Sequence, residues 1–407
     1  MRPMVTVRAC AACLFLALFV TAPYASAQSA KNNPDTETLI EETRELLSDT
    51  PEGRTRFPVS TRYLDFKRGL VEKYGFVYGV TPTLMLQKGT QGGDNDYTAN
   101  EQVHLTASWE PFRKMLPGGS LIFHYMHVGQ ITSTTGVDFL QSMGTSFALS
   151  DSPSDADVLR ALYWVQDFSN GRVRFAFGHG EIAKNDNGNC RYSCDDTTTF
   201  VSQPLSSNPA RTLPGAGAGI GLETYPVPEL ELAFALGDAR GDGDLNFKRV
   251  FDEGDLAYSG EIVWRSDVPG LGHGEYRITG YHVDEIESAS QKSSTGVQIG
   301  LEQDVGNTGL FLRGGGTKGR HSSVERYVSG GAVWKGPFSG GPEDWLGLGA
   351  SWVRPSDSSR SDEGILEAFY RFQLMPLVQF SPDVMLVFPS DGSDVEAVFS
   401  LRLQVQL

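Results

Sequence analysis

The feature that most restricts the fold of this chain is a run of short segments, starting near Gly75, in which apolar and polar residues alternate one by one. Successive side chains of a strand point to opposite faces, so a period of two describes strands with one apolar and one polar side. Phe76-Val77-Tyr78-Gly79-Val80 opens the series, and Gln102–Trp109 and Ser120–Val128 continue it. Ala161–Phe168 leads through Ser169-Asn170-Gly171 into Arg172–Gly178. Asn-Gly between two alternating runs is a strong local signal for a hairpin. There Val173, Phe175 and Phe177 share one face, while Arg172, Arg174 and Ala176 share the other. Later segments are Ile220–Tyr225, Leu230–Leu236, Tyr258–Trp264, Gly274–His282, Gly296–Gln303, Leu310–Gly314, Ala368–Leu374, Val384–Phe388 and Val395–Gln406. Read this way, the pattern holds roughly sixteen strands.

Two more features decide where such strands sit. Arg2 and Arg8, the apolar stretch Ala9–Val20 and Ala25-Ser26-Ala27 together read as a secretory signal over residues 1–27. After residue 28, no apolar run reaches the roughly 18 residues that a helical span needs. A secreted chain of this texture is either soluble or inserted as a closed barrel. The connections favour the barrel. Short turns alternate with long polar stretches, namely Gln87–Ala99, Ile131–Asp157, Glu181–Pro214, Asp238–Leu256 and Asp284–Ser294. Bacterial outer-membrane barrels have this asymmetry, with short periplasmic turns and long outer loops. The expected fold class is therefore all-β: a transmembrane antiparallel β-barrel of about sixteen strands with a short N-terminal helical segment.

That segment is Asp35–Leu47, where Leu39, Ile40, Thr43, Leu46 and Leu47 share a helical face and Pro51 stops the run. A second helical patch runs from Tyr63 to Lys73 as a plug or rim helix. The expected organisation is a signal peptide over 1–27, a helical extension over 28–61 and the barrel over 62–407. Cys190 and Cys194 are expected to form a disulfide that closes a small loop, as suits an oxidising compartment.

The formal net charge is −16, and removing Arg2 and Arg8 with the signal makes it −18. A nucleic-acid partner is not expected, because phosphate binding needs clustered positive charge. An enzyme is not expected either. The histidines at 104, 124, 127, 179, 273, 282 and 321 lie in no nucleophile motif, and no Gly-x-Ser-x-Gly elbow is present. A lipid hydrolase is thus the weaker rival, and a plugged structural or adhesive barrel the stronger one. His124 and His127, three apart on a strand, fall on opposite faces and make a poor metal pair. No metal site and no cofactor is expected. Asp238–Asp244 has the composition of a calcium loop without the spacing of one. It reads as an outer loop whose oxygens could hold a divalent ion bridging lipopolysaccharide.

Several stretches together resemble the carbohydrate-selective porin family, of the OprB type. They are Glu367–Pro376, Gln379–Pro389 and Ala397–Leu403 at the C-terminal end, with Asp344–Trp352 and Arg354-Pro355 before them. Phe200-Val201-Ser202, Asn208-Pro209-Ala210 and Leu213-Pro214 resemble the family's middle, as do Leu162–Phe168 and Gly171–Phe175. The resemblance implies a 16-stranded outer-membrane barrel of a Gram-negative bacterium, often a homotrimer, through which sugars and other small polar solutes diffuse passively into the periplasm. Outer-membrane lipid is then the surrounding partner. Such a pore needs a constriction whose side chains replace water around the solute. The candidates are polar residues opposite the apolar set: Arg160, Arg172, Arg174, Glu223, Glu261, Arg265, Arg277, Glu302 and Arg371. Most of any such set is ordinary wall. Trp109, Trp164, Trp264, Trp334, Trp345 and Trp352 read as girdle residues at the lipid boundary.

Overall fold

The computed structural model describes residues 40, 44, 61–90, 96–145, 156–181, 191–193, 197–210, 213–241, 243, 247–248, 250, 254–287, 291–319, 323–338 and 343–407. The expected signal peptide and the Cys190–Cys194 disulfide lie outside these residues. A helix, α1 (Thr61–Tyr74), leads into the wall. The strands are β1 (Phe76–Gly89), β2 (Tyr97–Trp109), β3 (Gly119–Gln130), β4 (Ala156–Phe168), β5 (Val173–Gly180), β6 (Gly217–Val227), β7 (Leu230–Asp238) and β8 (Leu256–Val268). They continue with β9 (Gly272–Val283), β10 (Ser294–Val305), β11 (Thr308–Gly319), β12 (Val324–Lys335), β13 (Trp345–Pro355), β14 (Glu363–Met375), β15 (Val378–Phe388) and β16 (Glu396–Val405). Short helices α2 (Gly136–Ser142) and α3 (Gln203–Ser206) interrupt two of the connections. Every strand pairs antiparallel with its sequence neighbours, and β1 pairs with β16 to close the barrel. The expected fold is the observed one. Among the described residues, no helix is long and apolar enough to cross a membrane.

Alternation sorts the wall into two faces. On β16, Phe399, Leu401 and Leu403 are exposed outward, while Val398, Ser400, Arg402 and Gln404 are buried inward. The same split puts Ile220, Leu222, Phe234, Ile262, Ile278, Ile299, Leu310, Leu312 and Leu348 on the outside. Leucines and isoleucines exposed in rows are what a wall facing hydrocarbon requires. Trp109, Trp164, Trp264 and Trp334 stand on the outer face near the short-turn end, and Trp352 near the long-loop end. Trp345 departs from the girdle expectation, because it packs inward against Tyr192.

The hairpin between β4 and β5 turns where the Asn-Gly signal put it. Asn170 and Gly171 have φ of 58° and 82°, and Ser169 has 53°. Glycine and asparagine tolerate that left-handed region best. The strand starts one residue later than expected, at Val173, so Arg172 belongs to the exposed turn rather than to the wall.

Helix α1 sits at the short-turn end. Arg113, in the β2–β3 turn, caps its last carbonyls: Nη2 donates to Glu72 O and Lys73 O, both at 2.9 Å. The Lys67 ammonium is buried, has no hydrogen-bond partner among the described residues, and lies 4.6 Å from the centroid of the Tyr78 ring. Burial pushes its pKa down to about 8. Between about pH 8 and the ordinary lysine value the unfolded chain therefore binds more protons than the folded one. Stability is expected to rise with pH across that window, by roughly 1–3 kcal/mol. Lys67→Met should raise stability at pH 7 and abolish that rise. Denaturant unfolding of both proteins at pH 7 and pH 10.5 checks this, and equal pH dependence in the two would refute it.

Candidate pore and constriction

Of the long connection Glu181–Pro214, expected as a polar outer loop, the described residues 191–193 and 197–210 fold into the barrel instead. Residues 197–210 are buried against inward-facing side chains of β11–β16. The reason lies in three kinds of contact. First, the wall carries buried charges that need backbone partners. Arg313 Nη2 donates to Ser193 O at 2.7 Å and to Leu205 O at 2.8 Å. Arg402 donates to Thr199 O, and Glu367 accepts from the backbone N–H of Val201 and, at 3.0 Å, of Ser202. Charged groups hydrogen-bonded in this way hold a segment far more firmly than a neutral contact does. Second, Phe200 fits between Phe311 and Phe369, with centroids 5.5 and 4.9 Å away, and packs with Tyr192, Leu205 and Val333. Third, the wall leaves room. A Cβ on Gly349 would stand 2.9 Å from Leu205 and Phe200, so any larger residue there collides with the loop.

A second loop covers part of the mouth. Helix α2, capped by Thr135, buries Phe139 and Met143 against Met85, Ile365, Met385, Val387 and Val398. Val201 of the first loop joins the same cluster. On the adjoining strands β2–β4, Ile40 packs against Ile122, Ala161, Tyr163 and Val165, and Arg44 Nη2 donates to Ser108 Oγ at 3.3 Å. Both residues are helical, and both touch the inward face of the barrel.

Of the nine sequence candidates, four meet in one array. On β8–β10 the inward positions carry Glu261, Arg265, Arg277 and Glu302, joined by Glu231 and Glu275. Arg265 bridges two strands, with Nη2 2.8 Å from Glu231 and Nε 2.9 Å from Glu275. Arg277 bonds Glu275 and stands 4.0 Å from Glu261, which also accepts from Thr279 Oγ1 at 2.7 Å. Glu302 lies directly opposite Glu275 across β9 and β10. Two carboxylates face to face repel, and the neighbouring guanidinium groups offset this. The loop adds to the array: Arg191 donates its backbone N–H to Glu302 at 2.9 Å and its Nη1 to Asp304 at 2.9 Å, and Tyr192 OH donates to Asp304.

The remaining candidates are scattered. Arg174 and Glu223 face inward as cross-strand partners on β5 and β6. Arg174 Nε bonds Asp167 at 2.8 Å, and Glu223 accepts from Tyr225 OH at 3.1 Å. Arg160 is buried at a β-bulge and pairs with Glu181 at 2.8 Å. Arg371 is buried with its guanidinium 3.8 Å from the Trp345 ring centroid. Arg172 stands apart in its turn. Exposure separates two roles. Arg174, Arg191 and Arg265 keep 32%, 31% and 23% of their side-chain surface open, whereas Arg277 and Glu261 keep 5% and 4%. The first set is open toward the lumen, and the second is closed off behind it.

Sequence reading missed Glu231, Glu275, Asp304, Arg313, Glu367 and Arg402. All lie on inward positions by the same alternation, so the signal was present in the strand pattern. His104 was read only as lying outside any nucleophile motif, and His124 only as a poor metal partner for His127. They sit buried on β2 and β3 with Nδ1 and Nε2 2.9 Å apart, one imidazole donating to the other. His127 points to the other face and bonds Asp157 at 2.8 Å.

Comparisons with known proteins agree with this architecture. The model of the carbohydrate-selective porin OprB family matches residues 96–407. Porin AaxA of Chlamydia abortus (strain DSM 27085 / S26/3) is 22% identical over 312 residues, covering 74% of this chain and 68% of that protein. Porin AaxA of Chlamydia caviae is 22% identical over 308 residues, covering 72% and 67%. The high-pH structure of Pseudomonas putida OprB is similar with a TM-score of 0.70 at 15% identity, covering 85% of this chain and 97% of that one. A loop-deletion mutant of OmpT from Vibrio cholerae reaches a TM-score of 0.52 at 10% identity, covering 82% and 99%. At these identities the structural likeness bears on the fold.

Proposed function

The chain belongs to the carbohydrate-selective porin OprB family and is an outer-membrane porin of a Gram-negative cell, and from that premise we propose that its solute passes along the half-open charges of β5–β8. Small sugars and polar solutes are what such a pore admits. The observation that carries the assignment of the path is the division between open and buried charges in the lumen. Arg174, Glu223 and Arg265, with Arg191 from the inward loop, offer donors and acceptors to passing hydroxyls. Glu261, Arg277 and Glu302 hold those groups in place from behind. Arg160 and Arg371 serve the wall, and Arg172 lies outside the path. A sugar that leaves its hydration shell finds guanidinium donors and carboxylate acceptors in its place, and leaves again because each contact is shared and weak. No bond is made or broken, so a non-enzymatic channel accounts for every group named. We also assign the leader to residues 1–27, the helical extension to 28–61 and the barrel to 62–407, and take a homotrimer as the working assembly.

Planar bilayers test this reading. Purified protein is expected to give discrete current steps that glucose blocks at about millimolar concentration. Arg174→Gln with Arg265→Gln should raise the half-blocking concentration by about tenfold, as expected for losing charge-assisted hydrogen bonds. Unchanged block in that double variant would move the site elsewhere. Steps without sugar block would leave a porin of other solutes. A second reading has its own support, because Ile40 and Arg44, both helical, contact the inner wall. If the folded barrel passes no current, the plugged form is the correct one.

A further inference from the structure

The outer face of β11–β13 changes character from its middle to its long-loop end. In register, Leu312, Gly330 and Ala350 form one row across the three strands; Gly314, Val328 and Trp352 form the next; Gly316, Arg326 and Arg354 form the third. Exposed Lys318 stands beyond them on β11. Two arginines directly opposite each other on a sheet repel unless something negative joins them. Arg354 is answered by Asp362, at 2.9 Å from Nε and 3.0 Å from Nη2. Arg326 has Glu325 at 3.6 Å, on a β-bulge that turns both side chains outward, and shares the field of Asp362 with Arg354. Lys318 has no ion-pair partner among the described residues. Elsewhere the same rim carries acid, with Glu101 and Asp157 exposed on β2 and β4.

Below the cations the surface is recessed. Gly330 and Ala332 on β12 lie between Leu310 and Leu312 on one side and Leu348 on the other, all three leucines exposed. Beyond exposed Val328, these small residues between leucines make a shallow trough toward mid-membrane, with Leu312 leaning over Gly330. Trp352, whose Nε1 donates to Asp362, marks the headgroup level at its top.

Cations over an apolar trough at the headgroup boundary suit one kind of molecule. We propose that this face binds a phosphorylated glycolipid of the outer leaflet, its phosphate on Lys318 and Arg326 and one acyl chain along Gly330 and Ala332. The site rests on the outer-membrane porin reading, since it needs that leaflet around it. Three cations stand here against two carboxylates, so phosphate oxygens supply a negative partner for Lys318, and the Arg326 guanidinium fork suits them.

Native mass spectrometry of the detergent-purified protein, titrated with bis-phosphorylated lipid A, tests the site. The wild type is expected to retain the lipid. Lys318→Gln with Arg326→Gln should weaken retention by about tenfold. Ala350→Phe, which fills the trough edge without touching a charge, should weaken it as well. Lys88→Gln, a rim cation already paired with Asp96, should change nothing. Equal retention of lipid A stripped of phosphate would overturn the proposal. So would inorganic phosphate displacing the lipid at equal concentration, which would mark a free-anion site, or self-association through this face that lipid does not relieve. Conductance recorded on the same samples separates the two readings. Current retained with lipid binding lost in the wild type sinks the lipid site alone, whereas lipid bound without current sinks the pore.

Discussion

A protein in which Thr197–Ala210 is replaced by a short Gly-Ser linker is expected to conduct at least about twice the current of the intact chain, because a barrel of this strand number encloses an aqueous channel once nothing fills it. The replaced residues lie inside the barrel, against the inward face of β11–β16. Removing them returns that part of the cross-section to water. It also frees Glu367 and Arg402 from the backbone groups they now bind, and takes Leu205 O from Arg313, which keeps Ser193 O. Ion selectivity should shift with the exposed charges, and sugar block should weaken because Tyr192, beside Arg191, loses its packing against Phe200 and Leu205. Single-channel recording in potassium chloride reads the change directly. An unchanged conductance would mean that the narrowest point lies elsewhere, on the side where Ile40 and Arg44 touch the wall.

Phe200→Ala is expected to cost about 3–5 kcal/mol, the range for truncating a fully buried phenylalanine. Its ring is fully buried and stands edge-on to Phe369 with an interplanar angle of 89°. The lost contacts belong to the loop and not to the strand ladder, so the barrel itself should persist. Hydrogen exchange of the loop amides should rise well before that of the strands. Denaturant unfolding followed by protease cleavage in the loop measures the loss. If cleavage and unfolding remain coincident with those of the wild type, the aromatic cluster is not what holds the loop.

Much of the wall was readable because alternation is local. A strand needs only its own residues to declare which side faces lipid, and the Ser169-Asn170-Gly171 turn declares a hairpin in three. Boundaries were less secure. A shift of one residue moved Arg172 from the lumen to a turn, because the hairpin uses Ser169 as well as Asn170 at positive φ. The inward loop was not readable by the same means. Its partners lie far along the chain: Val201 meets Glu367 across 166 positions, and Ser193 meets Arg313 across 120. Its apolar residues, Phe200, Val201 and Leu205, are few among serines, threonines and prolines, so composition reads as solvated. A usable hint was there in Gly349, a glycine in a strand where a close approach of other chain is one of the few explanations. Trp345 misled for a similar reason. Tryptophan at a strand end favours the interface, but Arg371 over its ring and a tilted contact with Tyr192 turned this one inward.

The seam between β1 and β16 also governs how the molecule comes to exist. Thr83 pairs with Gln404 and Gly89 with Val398, and Val80 exchanges two backbone hydrogen bonds with Leu407. The first strand thus waits for its second neighbour until the last has been made. Closing a loop of that length before any ladder rewards it makes folding slow, and leaves an open, adhesive sheet edge in the meantime. Such a chain cannot be left to collapse unattended in water. The edges are gone only once β1 and β16 have met, so the ring closes its own hazard at the last step.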